Sequence, residues 1–143
     1  MANWTQNHDL IYAFVCVSFL ADGEVDESEK EAIRGNVKVM LPDVSDNEYN
    51  QLDIEVIEKF DDLDNDDARM EQYDKSLKAI KGLFSTNEDR YKVIKNLAYI
   101  ARADNDIHKN EMLMVEKAVS LLDMTDKVKL VKTDSALFVD PTF

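Results

Sequence analysis

Acidic side chains recur in this chain at a spacing that suits the binding of a hard cation. Ala21-Asp22-Gly23-Glu24-Val25 is followed by Glu29, and 82 positions later Ala103-Asp104-Asn105-Asp106-Ile107 is followed by Glu111. Each copy gathers carboxylates into a tight loop beside a helix N-terminus. Their mutual repulsion is partly offset by the helix dipole, and a bound cation relieves the rest. Ca²⁺ and Mg²⁺ take oxygen ligands, ~6–8 of them for Ca²⁺. Asp22, Glu24, Glu29, Asp104, Asp106 and Glu111 are therefore the candidate ligands, for Ca²⁺ or Mg²⁺ rather than Zn²⁺. The same residues also read without a ligand, with Asp22 and Asp104 forming Asx turns and Glu29 and Glu111 completing capping boxes.

Other chemistries fail on spacing. EF-hand loops starting at Asp22 or Asp104 would place Ile33 or Val115 where the bidentate glutamate belongs; one starting at Asp62 would place Tyr73 there, and Asp67 in place of the turn glycine. The histidines, His8 and His108, sit in no Glu-x-x-His pair, and the chain lacks the Cys and His ligands of a zinc site. His108 reads as a helix cap. No nucleophilic triad, phosphate-binding glycine loop or pair of catalytic carboxylates is recognisable, and no organic cofactor is expected. A hydrolase using the loops as a metal centre is the weakest alternative.

The elements that must hold these loops follow from composition. With 143 residues, 45% of them hydrophobic, the chain has enough for one core, and 3 Gly with 2 Pro are too few for the turns of an all-β protein. Apolar periodicity predicts helices over residues ~8–21 and ~27–41, a third from near Asp46 marked by Tyr49 to Phe60, a fourth after the run Asp61–Asp67 marked by Met70 to Phe84, a fifth and sixth over ~87–103 and ~109–123, and a short seventh at Lys127–Lys132. The first is apolar nearly all round, as in a central helix. Asp26 opens the second as N-cap with Glu29 completing its box, and Pro42 ends it. Asp64 is expected to cap the fourth, within a solvated run Asp61–Asp67, and Gly82 to loosen its end. Lys75, Lys78 and Lys81 read as an exposed stripe.

The register of the two acidic loops extends outward, matching Val15 to Leu97, Ile33 to Val115 and Val37 to Val119. The expectation is an all-α single domain over 1–143: a compact bundle of about seven helices with a pseudo-twofold helix–acidic loop–helix repeat. Its units are ~10–41 and ~92–123, with inserted helices ~46–84.

Charge narrows the partners. The net formal charge is −13, split as −15 over residues 1–74 and +2 over the remainder. Such a chain repels phosphate backbones and anionic lipid, and favours cations or basic protein surfaces. The single cysteine, Cys16, excludes an internal disulfide and reads as a buried small hydrophobe. The apolar stretch Leu10–Ala21, at ~12 residues, is too short to span a bilayer, and it lacks the basic leader and cleavage site of a secretory signal. A cytoplasmic, soluble protein is expected.

The doubled Ala-Asp-Gly/Asn-acidic-Val/Ile-x-x-x-Glu in a helical chain resembles the TerB family of tellurite-resistance and stress-response proteins, over residues ~10–123. The resemblance implies a bundle of about seven helices, no enzymatic activity, and metal binding at an acidic cluster falling on Asp22, Glu29, Asp104 and Glu111. It also implies protein partners at the cytoplasmic face of the membrane. The alternative is a pure protein-interaction domain whose acidic loops are only structural caps. Asn105 stands where the family prefers Gly, though both residue types enter left-handed backbone at low cost.

Overall fold

The computed structural model describes residues 4–22, 27–101, 109–133 and 137–143, and at 20–22, 28–29, 101 and 109–111 the backbone alone. Among the described residues six helices are followed by one hairpin: α1 Gln6–Asp22, α2 Glu27–Met40, α3 Asp46–Asp62, α4 Asp66–Leu83, α5 Asn87–Ala101, α6 Lys109–Leu121, β1 Val128–Lys132 and β2 Leu137–Pro141.

Helix α1 is the hub. Every residue from His8 to Ser18 is buried, because the other five helices all pack against it. Its apolar surface therefore has no solvent side, which is why its sequence shows no amphipathic face. Helix α5 is the second core element, burying Val93, Ile94, Leu97, Ala98 and Ile100. Val15 and Leu97, matched in the sequence register, are both buried. The two acidic loops, one between α1 and α2 and the other between α5 and α6, lie outside the described residues.

The other helices begin and end where local chemistry dictates. Ser45 caps α3, its Oγ accepting from Glu48 N at 3.2 Å while its hydroxyl donates to Glu48 Oε1 at 3.3 Å, so a side-chain N-cap sets the start. Asn65, not Asp64, caps α4: its Oδ1 accepts from Ala68 N at 2.8 Å. Both residue types suit the position, and the one whose side chain reaches the third following amide takes it. The acidic run is correspondingly shorter as a loop, since Asp61 and Asp62 end α3, and Asp66 and Asp67 open α4. Gly82 is accommodated within α4, which runs on to Leu83.

The expected seventh helix is instead a strand. Helix α6 closes in a Schellman arrangement, with Met124 N donating to Val119 O at 2.8 Å and Asp123 N to Ser120 O at 3.1 Å. Asp123 takes a positive φ of 56°, a left-handed terminator that turns the chain out of the helix. Beyond it, Val128 to Lys132 pair antiparallel with Leu137 to Pro141, in the register Val128↔Pro141, Leu130↔Val139 and Lys132↔Leu137. Five residues of mixed apolar and basic character fit either structure when read alone. The partner strand decides, burying Val128, Leu137 and Val139 on the core side. The fold is thus predominantly helical, consistent with the expected compact all-α class, with a small two-stranded sheet in place of the seventh helix.

Candidate functional site

Of the proposed ligands, Glu24, Asp104 and Asp106 lie outside the described residues, as does His108. Asp22 ends α1, Glu29 lies in the first turn of α2 and Glu111 in the first turn of α6, but their side chains are likewise outside the description. Among the described residues, no group of three or more His, Cys, Asp or Glu side chains is arranged to hold a metal ion.

What the description does contain is the frame around the end of α1. Phe19 meets Phe60 of α3 at 4.7 Å between ring centroids. The Arg69 guanidinium lies over both rings, 5.1 Å from Phe19 and 4.3 Å from Phe60. Its Nε donates to Phe60 O at 3.2 Å, and Asp66 lies 3.6 Å from Nη1. Below it, the Arg69 carbonyl accepts from Tyr12 Oη at 2.9 Å and faces Cys16 Sγ at 3.9 Å. One residue therefore ties α1, α3 and α4 together near the C-terminal end of α1. Arg69 is the single basic residue between Phe60 and Asp74, and its charge is already engaged by aromatic faces and Asp66.

The surface beyond it is one-signed. Glu58, Asp61, Asp62, Asp64, Asp66, Asp67 and Glu71 are all exposed on α3, α4 and their connection. Lys75 pairs with Glu71 at 3.8 Å, while Asp61, Asp62, Asp64 and Asp67 have no ion-pair partner among the described residues. This is a field-generating face rather than a set of neutralised pairs. Of the expected lysine stripe, Lys75 and Lys78 are exposed, and Lys81 is ion-paired with Asp123. The lysine draws the Asp123 carboxyl below its ordinary range, first by hydrogen bonding and then by its charge.

At the other end of α1 lies a buried polar network that sequence reasoning did not single out. Asp9 Oδ1 accepts from Trp4 Nε1 at 2.7 Å and from Ser76 Oγ at 2.8 Å. Burial pushes the Asp9 carboxyl up, while these two donors and His8 oppose the rise. The Trp4 ring stacks on His8 at 4.8 Å. His8 Nδ1 accepts from Thr5 N at 2.9 Å, which leaves Nε2–H to donate to Glu55 Oε1 at 2.9 Å. The Glu55 carboxyl is lowered chiefly by this bond. The network seats the start of α1 against α3 and α4. Its signal was two polar residues, His8 and Asp9, directly abutting the most apolar run of the chain. Cys16 is buried and its thiol is pushed up to about 12 by burial, so it is a packing residue and not a nucleophile.

The family model described as tellurite resistance protein TerB matches residues 8–129 of the chain. No curated protein and no solved structure gives a significant match. Among the described residues no helix is long and apolar enough to cross a membrane.

Proposed function

The chain belongs to the TerB family, a tellurite-resistance-associated and generally non-enzymatic domain family, and from that premise we propose that it acts as a docking module. Its acidic α3–α4 face meets a basic surface of a partner protein, and its two acidic loops take up a divalent cation. The observation that carries the docking reading is the run of exposed carboxylates from Glu58 to Glu71, with only Lys59 and the engaged Arg69 interspersed. Such a face attracts and orients a basic partner before contact. By family resemblance the partner is the cytoplasmic side of a membrane protein. The test is capture of partners from the source cell at low and high salt. Changing Asp61, Asp62, Asp64, Asp66 and Asp67 to Asn is expected to lose the salt-sensitive partners; their equal retention would reduce the acidic half to a soluble surface.

The cation clause rests on the doubled loop and has its own readout. A ligand that binds only the native state raises stability by RT ln(1 + [L]/Kd), about 2.7 kcal/mol at a hundredfold excess over Kd. Millimolar Ca²⁺ or Mg²⁺ is therefore expected to raise the melting temperature. Asp22→Asn with Asp104→Asn should abolish the rise and leave the helical circular dichroism unchanged. An equal rise in the double variant would mean general charge screening, with the loops acting only as caps.

A further inference from the structure

A groove of about 440 Å³ runs between α2, α5 and β2. One wall is four consecutive residues of β2, Leu137 to Asp140, all beyond the family-matched segment. Leu137 and Val139 turn their side chains into the core, so what they offer the groove is peptide backbone.

The register says which way that backbone points. Thr142 N donates to Lys127 O at 2.8 Å, making Lys127 and Thr142 a hydrogen-bonded pair. Alternation along an antiparallel ladder then makes Lys129–Asp140 and Val131–Phe138 hydrogen-bonded pairs, and turns the N–H and C=O of Leu137 and Val139 away from β1. Pro141 fits the same scheme, because its position needs no donor toward β1. Among the described residues no third strand pairs with β2, so its outer edge is a strand template.

The opposite wall is prepared for a backbone. Gly35 of α2 has nothing within 4 Å of where a Cβ would stand, leaving room for close approach. Beside it, Asn36 Nδ2 is buried without a hydrogen-bond partner among the described residues, a donor in want of a carbonyl. Glu31 and Asp140 supply carboxylates, and neither forms an ion pair among the described residues. Phe138 adds a half-exposed ring.

We infer that this groove binds an extended segment of a partner protein, alternating apolar and basic residues, as a third strand on the outer edge of β2. The chemistry β2 accepts is already visible on its other edge, where β1 presents Val-Lys-Leu-Val-Lys. Main-chain bonds to Leu137 and Val139 give the affinity, the Asn36 amide donates to a carbonyl of the incoming strand, and Glu31 and Asp140 select lysine or arginine. The inference rests on the docking reading only in taking the occupant to be a protein, and it concerns a surface apart from the α3–α4 face.

The probe is a fluorescein-labelled VKLVK peptide titrated against the whole chain by anisotropy. Saturable binding is expected, with slowed amide exchange at Leu137 and Val139. It should weaken about tenfold or more when alternate amides of the peptide are N-methylated, when VELVE replaces VKLVK, and when Gly35→Phe fills the groove. The N-methylated arm uses the unaltered protein and so does not depend on a variant folding. Absence of saturation would overturn the inference, as would equal binding of the N-methylated peptide. Unchanged binding by a folded Gly35→Phe protein, the result if VKLVK merely displaced β1, would overturn it too, and equal binding of VELVE would remove its basic selectivity. Loss of the salt-sensitive partners with this binding intact would separate the α3–α4 reading from this one.

Discussion

Raising the pH from about 9 to about 12 is expected to unfold the protein, because three buried tyrosines cannot ionise in place. Tyr12 and Tyr73 are fully buried and Tyr49 is 4% exposed. Burial pushes all three phenols well above their ordinary value. Two of them are also needed as donors, Tyr12 to Arg69 O and Tyr73 to Met114 O, each at 2.9 Å. A phenolate would lose its donor and face a carbonyl oxygen. With folded pKa values raised, the stabilising contribution is whole below the unfolded value of about 10 and is lost as pH climbs from there toward the folded values. Each tyrosine kept neutral withdraws about 1.4 kcal/mol per pH unit, so three withdraw about 4 kcal/mol per unit. Two units consume a large share of a total stability of about 5–15 kcal/mol. Urea titrations across this range measure the slope. Tyr73→Phe should be less stable near pH 8, since Met114 O loses its partner, yet show a shallower alkaline decline. A stability that is level from about pH 9 to 12 would contradict the burial assigned to these rings.

Leu97→Ala is expected to cost about 3–5 kcal/mol, the range of a fully enclosed leucine whose neighbours cannot collapse into the space. Leu97 has no exposed surface and lies in α5 where it faces the core around α1. Leu113→Ala, on the 45% exposed side of α6, should change stability by only about 0.5 kcal/mol. Equilibrium unfolding in urea compares the two. Similar costs at both positions would mean that α5 is not a core helix.

Much of this arrangement was legible before any coordinates. A helix apolar nearly all round has to be central, and Leu10 to Val17 are all buried. The seven-residue and four-residue steps of Tyr49, Val56 and Phe60 placed one face of α3 inward, as they do in the fold. Three features escaped for definite physical reasons. The strand β1 depends on a partner that follows it in the chain, and no local pattern in Lys127 to Lys132 reports pairing. The cap of α4 falls on Asn65 and not on Asp64, and the sequence does not separate them because both residue types are good caps. The groove beside β2 is built from α2, α5 and the hairpin, elements distant in sequence, so neither the gap at Gly35 nor the unpartnered Asn36 amide has a sequence signature. The acidic loops, the clearest motif in the sequence, lie outside the described residues, and their chemistry rests on the cation titration.

The docking claim is tested most directly by the salt dependence of association with a partner captured through the α3–α4 face. Its on-rate is to be measured for the wild type and for the variant in which Asp61, Asp62, Asp64, Asp66 and Asp67 become Asn. The Debye length shrinks from about 10 Å at 0.1 M salt to about 3 Å at 1 M. Wild-type association should slow about tenfold or more over that range, while the variant should be slow at both concentrations and nearly insensitive to salt. Equal on-rates with the same salt dependence in both proteins would contradict the assignment of this face as the docking surface.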